Sequence, residues 1–272
     1  MKKSIISYAM LAFLVIGIAT SCKKKTEEQN DYDQSGLAET SSQDDESSVT
    51  KEFFYLGSSC NYDFSQISGT CAVVSESSPT FPKTVTIDFG TGCTGPNGFT
   101  KKGKIIIEMS NLLTEVGATR SISFENFYVN DVAITGTKTL TNSGLNSDGN
   151  LDIVVVSNIT MTNSSGSRTK SFNHVREWLG HTTCETSDDE FKITGSGSVT
   201  RSGGQARNYK ITTPIYINST CRYPVSGIVD FGTTKVGATL DYGNGSCDEF
   251  ATLTSKRKGT VKTINLQTRK FE

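Results

Sequence analysis

From about residue 84 onward, apolar and polar positions alternate in short runs separated by turn residues. Thr84–Phe89 is the first such run, and Lys104–Met109 follows it. Ser121–Tyr128 and Val132–Leu140 come next, and then the polar, glycine-containing turn Ser143–Asn150. Leu151–Met161 and Thr169–Trp178 flank a second turn at Asn163–Ser167. Phe191–Val199 runs into Arg201–Ala206 through a Gly-Gly turn and returns along Asn208–Ile217. Ser226–Phe231, Val236–Tyr242, Phe250–Thr254 and Thr260–Leu266 complete the series. No segment of helical length carries an apolar stripe with a 3.6-residue period. Consecutive strands joined by short loops predict an antiparallel meander of about ten to fourteen strands. The expected fold class is all-β, as a β-sandwich or a curled, partly open barrel.

The first fifty residues break this pattern. Lys2 and Lys3 precede an apolar run from Tyr8 to Ala19, and Ala19, Thr20 and Ser21 lead into Cys22. This is the composition of a secretory signal peptide, too short for a stable membrane span. Residues 1–22 resemble a bacterial lipoprotein signal. That resemblance implies cleavage before Cys22 and lipidation of Cys22, whose several acyl chains would hold the protein at a bilayer. After Lys23–Lys25, the tract from Thr26 to Thr50 contains eight acids and no Lys or Arg. It has too few apolar residues to offset its chain entropy and is expected to be a disordered, self-repelling tether. Lysines and then acids directly after the acylated cysteine resemble the export tag of surface-exposed Bacteroidota lipoproteins. The chain therefore divides into a signal peptide (1–21), a lipidated acidic tether (22–52) and an all-β domain (53–272), whose related halves span about 53–165 and 185–272.

Charge narrows the partners. The formal net charge is −1. Setting aside the eight tether acids and Glu52, and the six lysines at positions 2, 3, 23, 24, 25 and 51, leaves nineteen acids and twenty-one bases in residues 53–272. That near-neutral body shows no basic stripe, so nucleic acid is not an expected partner. Lys256, Arg257 and Lys258 sit beside Gly259 and read as a hairpin tip. Six cysteines follow Cys22: Cys60, Cys71, Cys93, Cys184, Cys221 and Cys247. An even number in an exported chain points to disulfides. No C-x-x-C occurs and His174 and His181 are the sole histidines, so no metal or other cofactor is expected.

The chain also repeats itself in the order A, B, B, A. IDFGTGC (87–93) reappears as LDYGNGSC (240–247), and KKGKIIIEM (101–109) as KRKGTVKTI (256–264). DVAITGTKTLTNSG (131–144) reappears as DEFKITGSGSVTRSG (189–203). A meander closing on itself would bring the two A units together. Cys93 and Cys247 are equivalent in this repeat, and each has a cysteine upstream. The expected pairs are Cys71–Cys93 and Cys221–Cys247, which leaves Cys60–Cys184. The A and B units, W-L-G-H at Trp178–His181 and the stretch LDYGNGSCDEFATLT resemble a family of uncharacterised Bacteroidota lipoproteins, over most of residues 60–268. The resemblance implies address and fold, and no activity.

Candidate chemistry is sparse. Gly90, Gly92 and Gly95 spell G-x-G-x-x-G, and Gly98, Gly103 and Lys104 spell G-x-x-x-x-G-K, with Ile105 in place of Ser or Thr. Both patterns need a following helix whose N-terminus holds phosphate, and a strand follows here, so no nucleotide is expected. Strand alternation puts His174 and Trp178 on one face of FNHVREWLGH, with Phe172 and Arg176. Two readings apply to Trp178, His174 and Arg176: a patch that stacks on a sugar ring, or a core tryptophan flanked by surface histidines. Asn146, Asp148, Asn150 and Asp152 alternate oxygen ligands, and Asp188–Glu190 form an acidic cluster. The first lacks the full twelve-residue calcium loop and reads equally as hairpin-turn chemistry. The Thr-x-Thr runs at 137–141 and 160–162 could form flat hydroxyl ladders, or reflect β-propensity on a solvated face. The function expected is a non-catalytic binding or structural module, anchored in the outer membrane, facing outward, with an envelope protein or glycan as partner. The alternatives are a carbohydrate-active enzyme with paired carboxylates and a periplasmic lipid carrier.

Overall fold

The computed structural model describes residues 71–95, 98–179, 190–204, 206–218, 220–232, 236–268 and 270–271. Cys22, Cys60, Cys184, Asp188 and Asp189 lie outside them, and so do the signal peptide and tether. Among the described residues there is no helix. The strands are β1 (Val73–Glu76), β2 (Lys83–Asp88), β3 (Cys93–Thr94), β4 (Thr100–Met109), β5 (Thr119–Val129), β6 (Val132–Leu145), β7 (Leu151–Asn163) and β8 (Gly166–Leu179). β9 (Glu190–Arg201), β10 (Arg207–Asn218), β11 (Ser226–Gly232), β12 (Gly237–Asn244), β13 (Phe250–Ser255), β14 (Val261–Asn265) and β15 (Lys270–Phe271) follow. They form one antiparallel sheet in sequence order, with β3 pairing β4 off the main path, and the sheet is not closed into a barrel. The all-β meander expected from alternation is therefore present as a single open sheet rather than two hydrogen-bonded sheets.

Alternation gives the sheet two distinct faces. One is buried, with Val85, Ile87, Ile105, Ile107, Ile153, Ile215, Leu240 and Leu253 at 0 % exposure. These side chains belong to one apolar cluster that runs from β2 to β14. Strand twist accumulates across a sheet this wide, so it curls and brings its apolar face onto itself. The other face is polar and solvated.

The registers explain the A, B, B, A order. In the B units, Gly136 and Gly195 both have positive φ (109° and 122°). A Cβ on Gly136 would overlap the carbonyl oxygen of Asn158 on β7, and one on Gly195 that of Asn173 on β8. Two residues on, Lys138 pairs with Ser157 and Gly197 pairs with Phe172, while Ser157 and Phe172 pair with each other. Outward from there, Lys138 leads to Ile122, Ile107 and Val85. Gly197 leads to Tyr209, Phe231 and Ala238. Val85 thus becomes equivalent to Ala238, and three residues later Asp88 to Asp241, which is the alignment of the two A units. A pseudo-twofold axis normal to the sheet passes between Ser157 and Phe172 and relates strands on either side of the β7–β8 hairpin. A palindromic order of repeats is what such an axis requires of a meander.

Local geometry agrees. Gly90 N donates to Asp88 Oδ1 at 2.8 Å, and Gly243 N donates to Asp241 Oδ1 at 2.9 Å, the same Asx turn in both A units. The axis places β8 with the strands of the second half. One detail of the repeat is corrected. Lys101–Lys104 lie within β4, whereas Lys256–Gly259 form the turn between β13 and β14, so only the DFG and DYG parts of the A units correspond. The A units also do not pair. β2 and β12 lie toward opposite ends of the strand order.

Both expected disulfides among the described residues are formed. Cys71–Cys93 joins the ends of the β1–β2 hairpin and Cys221–Cys247 those of β11–β12, with Cα separations of 5.5 and 5.6 Å.

Candidate functional site

On the buried face, the pseudo-axis is surrounded by polar groups. Lys138 (4 % exposed), Ser157, Lys170 (3 %) and His174 (3 %) all point inward. Both lysine ammonium groups lie beside the Phe172 ring, at 5.9 and 5.6 Å from its centroid. His174 stacks on the other part of this cluster, 4.3 Å from Phe172, and its Nε2 is 3.1 Å from the Tyr209 hydroxyl. Gly197 makes room for that contact: a Cβ there would meet the Tyr209 hydroxyl at 2.6 Å and Phe172 Cβ at 2.7 Å. The twofold scaffold is thus decorated asymmetrically, with Lys138 on one side where Gly197 and Tyr209 stand on the other. One row away, Arg120 on β5 is fully buried, and burial pushes its guanidinium pKa down to about 9, so it stays charged at neutral pH. Burying a cation is costly, and at Lys138 and Lys170 the adjoining Phe172 ring offsets part of that cost.

Of the two readings of Trp178, His174 and Arg176, the core tryptophan rather than the sugar-stacking patch fits the burial of Trp178. The three residues share a face, as their spacing predicted, but it is the inward one. Trp178 is 6 % exposed and packs against Phe191 at 5.6 Å. Trp178 is a core residue, and His174 is buried rather than on the surface. Lys138, Lys170 and Tyr209 escaped the sequence reading. Their signal was parity, since Lys138 occupies the inward phase of Ile134 and Leu140.

The polar run after β6 forms a network instead of a calcium cage. Asn146 Oδ1 accepts the backbone N–H groups of Asp148 and Asn150, both at 3.0 Å. Asn146 Nδ2 donates to Asp152 at 3.2 Å and to Glu177 at 3.0 Å, and Asn150 Nδ2 donates to Glu177 at 2.7 Å. The amide oxygen of Asn146 is occupied by the turn, and its nitrogen faces the carboxylates. Asp152 and Glu177 are direct cross-strand partners. Desolvation and the Glu177 charge raise the Asp152 pKa, whereas the Asn150 and Asn146 hydrogen bonds lower that of Glu177. Glu190 raises the Tyr216 phenol to about 12 by accepting its hydrogen bond. Among the described residues no group of three or more His, Cys, Asp or Glu converges as a metal site.

The glycine-rich segment after β2 is strand, turn and strand. Gly103 lies inside β4 at a register shift, where a Cβ would overlap the Asn126 carbonyl. It marks a β-bulge.

The solvated face carries the least ordinary pattern. Around the pseudo-axis, alternate residues of Thr135–Thr141 on β6, Val154–Thr160 on β7, Thr169–Val175 on β8 and Thr194–Thr200 on β9 point outward in four aligned rows. One row is Thr135, Thr160, Thr169 and Thr200, and the next is Thr137, Asn158, Ser171 and Ser198. Every position of this four-by-four grid is Thr, Ser, Asn or Val. The twofold axis maps the grid onto itself, exchanging Asn158 with Asn173. Thr160 and Thr169 hydroxyls are 2.8 Å apart, and Ser171 Oγ donates to Asn158 Oδ1 at 3.2 Å.

The molecule is defined structurally as a disulfide-clasped, single-sheet β protein with internal pseudo-twofold symmetry. The chain matches no protein-family model, no curated protein and no solved structure.

Proposed function

We propose that this is an exported lipoprotein, anchored through Cys22 in the outer membrane and facing outward, whose sheet serves as a non-catalytic binding module for an envelope partner or glycan. The resemblance of residues 1–22 to a lipoprotein signal supports the address. The observation that carries the binding role is the broad outward grid of short, uncharged side chains on β6–β9. The inward face gives less room to a lipid-carrier reading, because its apolar positions are filled by one another. Replacement of Cys22 by Ser tests the anchor: the variant is expected to leave the membrane fraction, and retention there would refute it. Crosslinking on intact cells tests the binding role, with a specific partner expected and none recovered if the role is wrong.

One observation favours an enzyme as the second reading. Asp152 and Glu177 face each other with their pKa values displaced in opposite directions, the arrangement an acid and a nucleophile need. Hydrolysis of a glycan by the purified protein, abolished in Glu177→Gln, would support this reading over the first.

A further inference from the structure

We infer that the outward grid on β6–β9 is a docking face for a neutral polysaccharide chain. This deepens the binding-module reading and rests on it.

Charge supplies the first argument. Soluble protein surfaces carry roughly a quarter to a third Lys, Arg, Glu and Asp, so a patch of this size would ordinarily hold about four. The grid holds none, whereas the next row out on the same face carries Asp152, Glu177 and Lys192 in register. β-Propensity accounts for threonine in these strands but not for the loss of charge at one row boundary. A partner selected by this face is itself uncharged.

Side-chain chemistry supplies the second. No side chain of the grid reaches further from the backbone than Asn, so the sheet surface is accessible to a flat, extended ligand. Hydroxyls and amides at a spacing of about 4.8 Å across strands and about 7 Å along them offer paired donors and acceptors. That cross-strand spacing is close to the length of one pyranose ring. Val154 and Val175 pair in the row that borders Asp152 and Glu177, and Val156 adjoins them one row further in, 49 % exposed; together they give the C–H faces of a sugar an apolar floor at that end of the grid.

Shape and area select among occupants. The grid covers on the order of 500 Å², whereas a stable protein interface needs roughly 800 Å² from each partner. A second copy of this chain would therefore need much more than the grid. Adjacent strands rotate by about 20–25°, so four strands present a twisted surface, unlike a crystal plane. A single flexible chain can follow that twist.

The test uses the full mature chain, acylated and held in detergent, with a soluble neutral β-glucan, a soluble neutral mannan and anionic polygalacturonate as probes. Binding to at least one neutral glycan is expected, unchanged between low and high salt. The double variant Asn158→Ala/Asn173→Ala is expected to weaken it at least tenfold without moving the thermal unfolding midpoint. Glu108→Gln, on the same face outside the grid, should bind as the parent does. The inference is overturned by binding to polygalacturonate alone, by strong salt dependence, or by an unaltered double variant. It is overturned as well if self-association or inhibition of ice growth is what the double variant abolishes. If neither neutral glycan binds while crosslinking on cells traps an envelope protein through β6–β9, the glycan inference fails and the binding-module reading stands. Failure of both experiments removes both.

Discussion

At the scale of single residues, the backbone approach at Gly136 and Gly195 admits no side chain. Positive φ and overlap with a neighbouring carbonyl act together at both positions. Gly136→Ala and Gly195→Ala are each expected to cost about 2–4 kcal/mol in denaturant unfolding. Gly149 also has positive φ but has open space around its Cβ position, so Gly149→Ala should cost only about 1 kcal/mol. Equal losses at all three sites would disprove the close approach. Asp152 and Glu177 give a pH-dependent prediction. The folded pKa of Asp152 is raised, so its ionised form is disfavoured by folding; Asp152→Asn should stabilise the protein at neutral pH, and the gain should fade as pH drops below the raised value. The folded pKa of Glu177 is lowered, so its contribution is present above the unfolded value of 4.5 and is lost as pH falls. Glu177→Gln should therefore destabilise at neutral pH and converge with the parent in acid. Stability curves measured across pH 3–7 that run parallel for parent and variants would contradict both (a window of about four units around the carboxylate range).

At the scale of elements, the strands were legible because alternation is local and each hairpin is short. β1 was missed because Val73–Glu76 is only four residues long, with three of them exposed. β3 and β15, at two residues each, carry no periodic signal at all. The disulfides were legible through repetition. Cys71–Cys93 and Cys221–Cys247 span 22 and 26 residues, and removing either by Cys→Ser is expected to cost about 3 kcal/mol. Denaturant unfolding without reductant measures this; a midpoint unchanged in both variants would show that the hairpins close without their clasps.

At the scale of the molecule, the pseudo-axis passes through the most extensively paired hairpin, β7–β8, with register unbroken from Leu151–Trp178 to Asn163–Gly166. One core cluster spans both halves. Chains ending at 165 and starting at 166, produced separately, are therefore expected to lack protease resistance and near-ultraviolet circular dichroism. Two independently folded halves would show that the sheet is two domains. The whole-molecule arrangement also decides the candidate sites. Phe172, His174 and Trp178 were correctly assigned to one face from their spacing, but spacing names no side as inner. The sequence by itself determined the all-β class, the meander, the repeats and the two disulfide pairs, because each rests on periodicity or self-similarity along the chain. Only the tertiary structure decided that His174 and Trp178 are interior, that Lys138, Lys170 and Tyr209 gather beside Phe172 and His174, and that four strands align one uncharged face. Those outcomes depend on register and curl, which place residues far apart in sequence at neighbouring points in space.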